Sequence, residues 1–477
     1  MMSYQRAPVV LFLVADTGGG HRSAANAIRA AMNLIAPESI KNSNASEPPL
    51  QLPFSPQAFL PPSWNAVSRP WRAEVHDIFE ECGMAPLRRT ARMYGPTVER
   101  TPRVYASFYH ASNTRATYAA VSALTQQMLR QGLKEMIREL RPDVIVSVHS
   151  LLTKSTWNMT QSLGVQIPYI TVVTDLIRFH RAWAFPKVDV CVAPTEEAKQ
   201  QLIGFGMPEE KIQLLGMPIH PKFAIAPNEI ASQRKALGLR EDVFTILLVG
   251  GGDGVGGLKD IAHAFTHSHL PLQMIVVTGR NEALRRQLTE ESAQFPFPSA
   301  ILGFVDNMPD LMRASDVIVT KAGPGTIMEA LSCGLPIILT SAIPGQEVGN
   351  IDFVVQHNVG VYAPELSDMV SHVHRLIELN ASQREEISQR ACALSSAQAS
   401  FAIAKLILQY VPAPRSISLW NRSLYAAGKT VRSAKRRDKQ QKINMRLLSR
   451  SSLYLRRRLR LFNKITQRRH NAGDNRG

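Results

Sequence analysis

Val9-Val10-Leu11-Phe12-Leu13-Val14-Ala15-Asp16-Thr17-Gly18-Gly19-Gly20-His21-Arg22-Ser23 is the stretch that decides the fold. An unbroken apolar run enters three glycines, and Ser23 to Met32 continues at helical spacing. A strand, a glycine turn and a helix start in that order present backbone N–H groups and the positive end of a helix, which together form an anion site. The same order recurs about 300 residues later, where Val317 to Thr320 leads into Lys321-Ala322-Gly323-Pro324-Gly325-Thr326-Ile327-Met328-Glu329. Two such junctions on two α/β halves predict a cleft enzyme that handles a phosphorylated ligand.

The chain is long enough for this. Its 477 residues are 45% hydrophobic, ordinary for a globular protein of two domains and extras. No apolar run reaches the ~18 residues of a membrane span, and Val9 to Val14 reads as a first strand, not a signal peptide. Cys82, Cys191, Cys333 and Cys392 have no metal-ligand spacing and are expected to be free thiols in a reducing cytosol. The net charge of +17 is confined to one place. From Arg415 to Gly477 there are nineteen Lys/Arg and two acids, so the rest of the chain holds 36 of each sign and is neutral.

Strand and helix patterns alternate on both sides of a break at Gly216-Met217-Pro218-Ile219-His220-Pro221. Before it, strands are expected at Val9–Val14, Val144–His149, Tyr169–Asp175 and Val188–Ala193. After it they are expected at Thr245–Val249, Met274–Thr278, Ala300–Gly303, Val317–Thr320 and Pro336–Leu339. This is the pattern of parallel doubly wound sheets. Pro37 to Pro70 reads as a long loop-like insertion, and the stretch from Trp71 to Tyr109 as a mixed helical region rich in aromatics and arginine. The expected division is 1–223, 224–412 and a basic tail, 413–477.

Gly250 to Gly257 is a strand-to-helix turn without the Lys-Ser/Thr pair of a Walker loop. It suits phosphate, or only close helix–sheet packing. Gly323 and Gly325 permit close backbone approach, and Thr326 is placed to cap the following helix. Glu329 is either an acid that holds a sugar diol or a simple charge near a helix start. Gln346, Glu347 and Asn350 follow a Pro344-Gly345 turn and form a hydroxyl-reading loop or a solvated helix cap.

Asp16 to Ser23, Val173-Thr174-Asp175, His180-Arg181-Ala182-Trp183, Ala193-Pro194-Thr195-Glu196-Glu197, Gly216 to Ile219, Lys321 to Glu329 and Pro344 to Asn350 carry a resemblance. Over roughly Pro8 to Tyr410 the chain resembles the monogalactosyldiacylglycerol synthase and processive diacylglycerol glucosyltransferase group of glycosyltransferase family 28. The resemblance implies a GT-B fold, two Rossmann-like domains facing across a cleft. It implies transfer of glucose or galactose from a UDP-sugar to diacylglycerol, inverting and without bound metal or other cofactor. By the same resemblance Glu329 is the ribose-binding acid, Gln346 and Glu347 the sugar-binding pair, and Gly250, Gly251 and Gly252 the donor-phosphate turn. Lys321, Gly323, Gly325, Thr326 and Asn350 complete the donor side. Gly19, Gly20, His149 and Asp175 fall on the acceptor side, and His21 faces the reacting centre.

The intrinsic pKa of an imidazole suits His21 to act as general base, and Asp16 is its competitor or the group that orients it. Within Ile443 to Ile465 a helix would gather Leu447, Leu448, Tyr454, Leu455, Leu459, Leu461, Phe462 and Ile465 on one face with arginines mostly opposite, the pattern of an interfacial helix. The expected partners are thus a UDP-sugar, diacylglycerol and an anionic membrane, with no nucleic acid, and the expected location is cytoplasmic, peripheral on the inner face of the cell membrane. The other readings are a UDP-N-acetylglucosamine transferase to another lipid and a nucleotide-sugar 2-epimerase.

Overall fold

A computed structural model describes residues 5–15, 19–37, 50–64, 71–225, 230–250, 257–395, 397–412 and 415–416. Two units are present. Ala7–Pro414 holds both sheets described below; Met1–Arg6 and Arg415–Gly477 form the other, in which Gln5–Arg6 pairs antiparallel with Arg415–Ser416. The remainder of the expected basic tail, Asp16, and Gly251 and Gly252 lie outside the described residues.

Each half is one six-stranded parallel sheet. In the first, the spatial order is Arg72–Asp77, Val9–Val14, Val144–Ser147, Tyr169–Val172, Val190–Ala193, Ile212–Leu214. In the second it is Ser299–Leu302, Leu272–Val277, Phe244–Val249, Val317–Thr320, Ile337–Leu339, Gly360–Tyr362. All six residues of Val9–Val14 are buried, because a parallel strand with helices on both faces has no solvated side.

Helix Gly20–Ile35 shows how the layers close. Gly19 begins it at φ 80°, a left-handed conformation that a Cβ would penalise. Ala24, Ala25, Ala27, Ile28, Ala31, Met32 and Ile35 bury one stripe at helical spacing. Truncating Ile28 there would cost about 2–5 kcal/mol. The alanines let a second helix, Ala399–Tyr410, lie close alongside.

That second helix corrects the expected boundary of the second domain. Phe401, Ile403, Ala404, Leu406, Ile407 and Leu408 belong to the core of the first half, with Phe12, Ile28 and Met32. Trp64 Nε1 donates to the Leu408 carbonyl at 3.0 Å, and the Phe54 ring meets Phe401 edge-on at 5.0 Å. The described part of the insertion, 50–64, therefore packs on this helix instead of looping into solvent. Ala381–Tyr410 is long and apolar enough in composition to cross a membrane, but about half of it is buried in the fold, where its second part is this core helix.

A second correction concerns Trp71 to Tyr109. It is not wholly helical, since Arg72–Asp77 is a strand paired in register along Val9–Val14. It lies at the sheet edge, where the half-buried Arg72, Glu74 and His76 alternate with Trp71, Ala73 and Val75, a period-two signal that the helical reading passed over. The helices Ile78–Cys82, Ala85–Arg100 and Pro102–Ser112 follow.

Candidate active site

Open parallel sheets bind ligands beyond the carboxyl ends of their strands, where the strand order reverses. Here the first reversal lies between Val9–Val14 and Val144–Ser147, and the second between Phe244–Val249 and Val317–Thr320. The turn before His21 and the turn carrying His149 flank the first. Gly250 and Lys321 flank the second, where Thr320 Oγ1 donates to the Val249 carbonyl at 3.0 Å.

At the first reversal His21 is half-buried in the opening turn of its helix. Its Nδ1 lies 3.1 Å from Thr174 Oγ1, its ring meets His149 edge-on at 4.7 Å, and Trp183 lies 6.3 Å away. His149 Nδ1 accepts the Leu151 N–H at 3.3 Å and caps helix Ser150–Ser162. Burial, then the neighbouring His21, holds His149 well below the usual imidazole range. His149 is therefore neutral, and a proton taken up by His21 meets no competing charge there. Gly19 and Gly20 are exposed beside them.

Asp175, 7% exposed, accepts the Trp183 Nε1 proton at 2.7 Å. Burial pushes its carboxyl up to about 6; the Trp183 hydrogen bond opposes this, and the negative charge of Glu347 adds to it. Glu347 belongs to the other half, so the two sets of residues face one another.

At the second reversal Pro324 begins the helix Pro324–Ser332 with Gly323 as its N-cap and no side-chain cap. Thr326 therefore sits inside the first turn and does not cap it, because proline fixes the helical φ two residues earlier. Gly325 has open space around its Cα. Glu329 is in the second turn, not the first. Its carboxyl makes no hydrogen bond or ion pair among the described residues, and burial pushes it up to about 7.

Lys321 Nζ donates to Glu347 Oε1 at 2.8 Å, Ile343 N–H donates to Glu347 Oε2 at 3.0 Å, and Asn350 Nδ2 donates to the Ala322 carbonyl at 2.8 Å. The 343–350 loop is thus tied to the helix-start turn. Gln346 instead reaches the first half, where Tyr105 OH donates to its Oε1 at 2.9 Å. Sequence reading missed Tyr105, Tyr109 and Thr174 as site residues. The i, i+4 pair of tyrosines was the available signal.

Two doubly wound domains facing across a cleft, with an anion-ready helix start at each reversal, make a GT-B fold. Residues 64–219 match the monogalactosyldiacylglycerol (MGDG) synthase family and residues 245–400 the glycosyltransferase family 28 C-terminal domain. The probable monogalactosyldiacylglycerol synthase 2, chloroplastic, of Oryza sativa subsp. japonica is 32% identical over 415 residues, 85% of this chain and 81% of that one. Monogalactosyldiacylglycerol synthase 3, chloroplastic, of Arabidopsis thaliana is 31% identical over 436 residues, 89% and 86% of the two chains. Among solved structures, the glycotransferase of kitacinnamycin superposes with a TM-score of 0.51 at 12% identity, covering 85% of this chain and 100% of its own. The chain belongs to the monogalactosyldiacylglycerol synthase family.

Proposed function

We propose that this protein is an inverting, metal-independent transferase that moves galactose or glucose from a UDP-sugar to the free hydroxyl of diacylglycerol. The observation that carries the reading is Glu329. Glu329 is half-buried, and a carboxylate partly withdrawn from water without a hydrogen-bond partner costs stability. The ribose diol of a nucleotide supplies the two O–H donors that it lacks. The plant relatives named as monogalactosyldiacylglycerol synthases support a hexose donor and a diacylglycerol acceptor.

In the mechanism, the acceptor hydroxyl attacks the anomeric carbon as the nucleotide diphosphate leaves from the opposite face. Negative charge grows on the phosphate, opposite the start of helix Pro324–Ser332 and the Gly250 turn, whose N–H groups offset it. His21, oriented through Nδ1 by Thr174, takes the hydroxyl proton. The neutral His149 keeps that protonation from being opposed.

The enzyme works at the cytoplasmic face of the cell membrane as a peripheral protein. Met84, Met93, Val104, Phe108 and Leu124 are exposed apolar side chains on the first half. The segment from Cys82 to Lys134 carries eight Lys/Arg against one acid, which suits an anionic lipid surface. The test is transfer of label from radiolabelled UDP-galactose and UDP-glucose, in parallel, to diacylglycerol dispersed in detergent with excess chelator. Label in the organic phase is expected. None from either donor overturns the proposal, and loss in chelator restored by Mg²⁺ or Mn²⁺ overturns its metal-free part.

A further inference from the structure

The acceptor-side helix Pro102–Ser112 reaches the donor loop of the other half. Tyr105 and Tyr109, one turn apart with ring centroids 6.2 Å apart, make the contact. Tyr109 packs on Gly345, which stands at φ 84° and whose Cβ, if it had one, would lie 2.9 Å from Tyr109 Cδ1. Only glycine admits both that backbone and that ring. Tyr109 is held from behind by the edge of His180 at 5.6 Å. His180 is itself fixed, its Nδ1 accepting the Ala182 N–H at 3.1 Å and its Nε2 lying 3.3 Å from Ser112 Oγ. On the loop's other side Arg178 lies against Gly349 and pairs with Asp352 at 3.1 Å.

The two residues of the proposed sugar-binding pair are therefore held differently. Glu347 is set by Lys321 and the Ile343 N–H, both of its own half. Gln346 accepts a hydrogen bond from Tyr105, from across the cleft. We infer that Tyr105 is a positioning residue that holds the Gln346 side chain at the donor sugar. The phenol hydroxyl bonds the amide from a helix of the other half and so ties the reach and angle of Gln346 to closure of the cleft. Discrimination between two sugars that differ in one hydroxyl then depends on a residue that never touches them.

This rests on the reading of Gln346 as a sugar-binding residue. The experiment compares Tyr105→Phe, Gln346→Ala and the double variant. The readouts are kcat and KM for UDP-galactose and UDP-glucose, and affinity for UDP alone by calorimetry. Removing one hydroxyl while keeping the ring should raise the donor KM and lower the ratio of the two kcat/KM values by about fivefold, the span of one hydrogen bond. UDP affinity should stay unchanged, and the double variant should be no worse than Gln346→Ala. If Gln346→Ala changes neither the ratio nor KM, the sugar-binding reading of Gln346 fails and the inference with it. If Gln346→Ala lowers the ratio but Tyr105→Phe leaves the ratio and KM at wild-type values, that reading stands and the positioning role is overturned. Equal loss of UDP affinity and of sugar-dependent activity in Tyr105→Phe overturns it too, since a general loosening of the cleft would do that.

Discussion

Replacing Glu329 by glutamine should make the ligand-free protein more stable and the enzyme worse at holding its donor. The carboxyl titrates at about 7 in the fold against an ordinary 4.5. A folded acid with a raised pKa holds its proton where the unfolded chain has lost it, so stability falls as pH rises from 4.5 to 7 and is level above. Because the side chain is half-buried, the full shift sets an upper bound of about 3 kcal/mol at pH 8 and about 1 kcal/mol at pH 5. Glutamine keeps the shape and removes the charge. The stabilising effect of Glu329→Gln should therefore grow from pH 5 to pH 7.5 and then stop growing. UDP affinity should fall about tenfold, because the ribose hydroxyls lose a charged acceptor. Thermal melts at pH 5, 6, 7 and 8, with and without UDP, give both quantities. A gain independent of pH would show that the charge is not what costs stability, and unchanged UDP affinity would remove Glu329 from the ribose site.

His21→Ala should lower turnover by about 10²–10⁴ while UDP affinity in calorimetry stays at the wild-type value; a larger effect of Asp16→Asn with little from His21→Ala would reverse the roles given to them. Lys321→Met strips the buried Glu347 of its cation and should destabilise by about 2–3 kcal/mol in urea melts, with most of it recovered in Lys321→Met/Glu347→Gln. No recovery in the double variant would mean that Lys321 acts through packing. Truncation after Pro414 should weaken sedimentation with anionic liposomes, the first half keeping its own apolar and basic surface, and leave activity on detergent-dispersed acceptor. Equal sedimentation of both forms would assign the contact to the exposed apolar and basic surface of the first half.

The sheets were legible where burial on both faces leaves no choice of residue. Val9–Val14 and Val317–Thr320 have the bounds that their apolar runs predict. The edges were not. Arg72–Asp77 alternates apolar and polar residues, but the surrounding helical stretch masked it, and Ile212–Leu214 and Gly360–Tyr362 are three residues each, too short to show a period. Helix Ala399–Tyr410 was not singled out, and an apolar surface on nearly every side says nothing of which core it enters. The helix starts at the two reversals were readable from glycine and proline alone, save that Pro324 takes the first helical position and leaves Thr326 no capping role. What joins them was not readable. Lys321 meets Glu347 across 26 residues, and Tyr105 meets Gln346 across 241.

The placement of Ala399–Tyr410 has a consequence for synthesis on the ribosome. The second sheet and its helices are contiguous in the chain and have all their parts by about residue 394. The first half has six strands by Leu214 but lacks the helix that covers Gly20–Ile35. At ~5–20 residues per second, the roughly 190 residues between those points take about 10–40 s to emerge. For that interval the apolar faces of Phe12, Ile28 and Met32 have no lid. The half made first is thus finished last, and a nascent-chain chaperone would find its binding surface on the N-terminal half while the C-terminal half is still being translated.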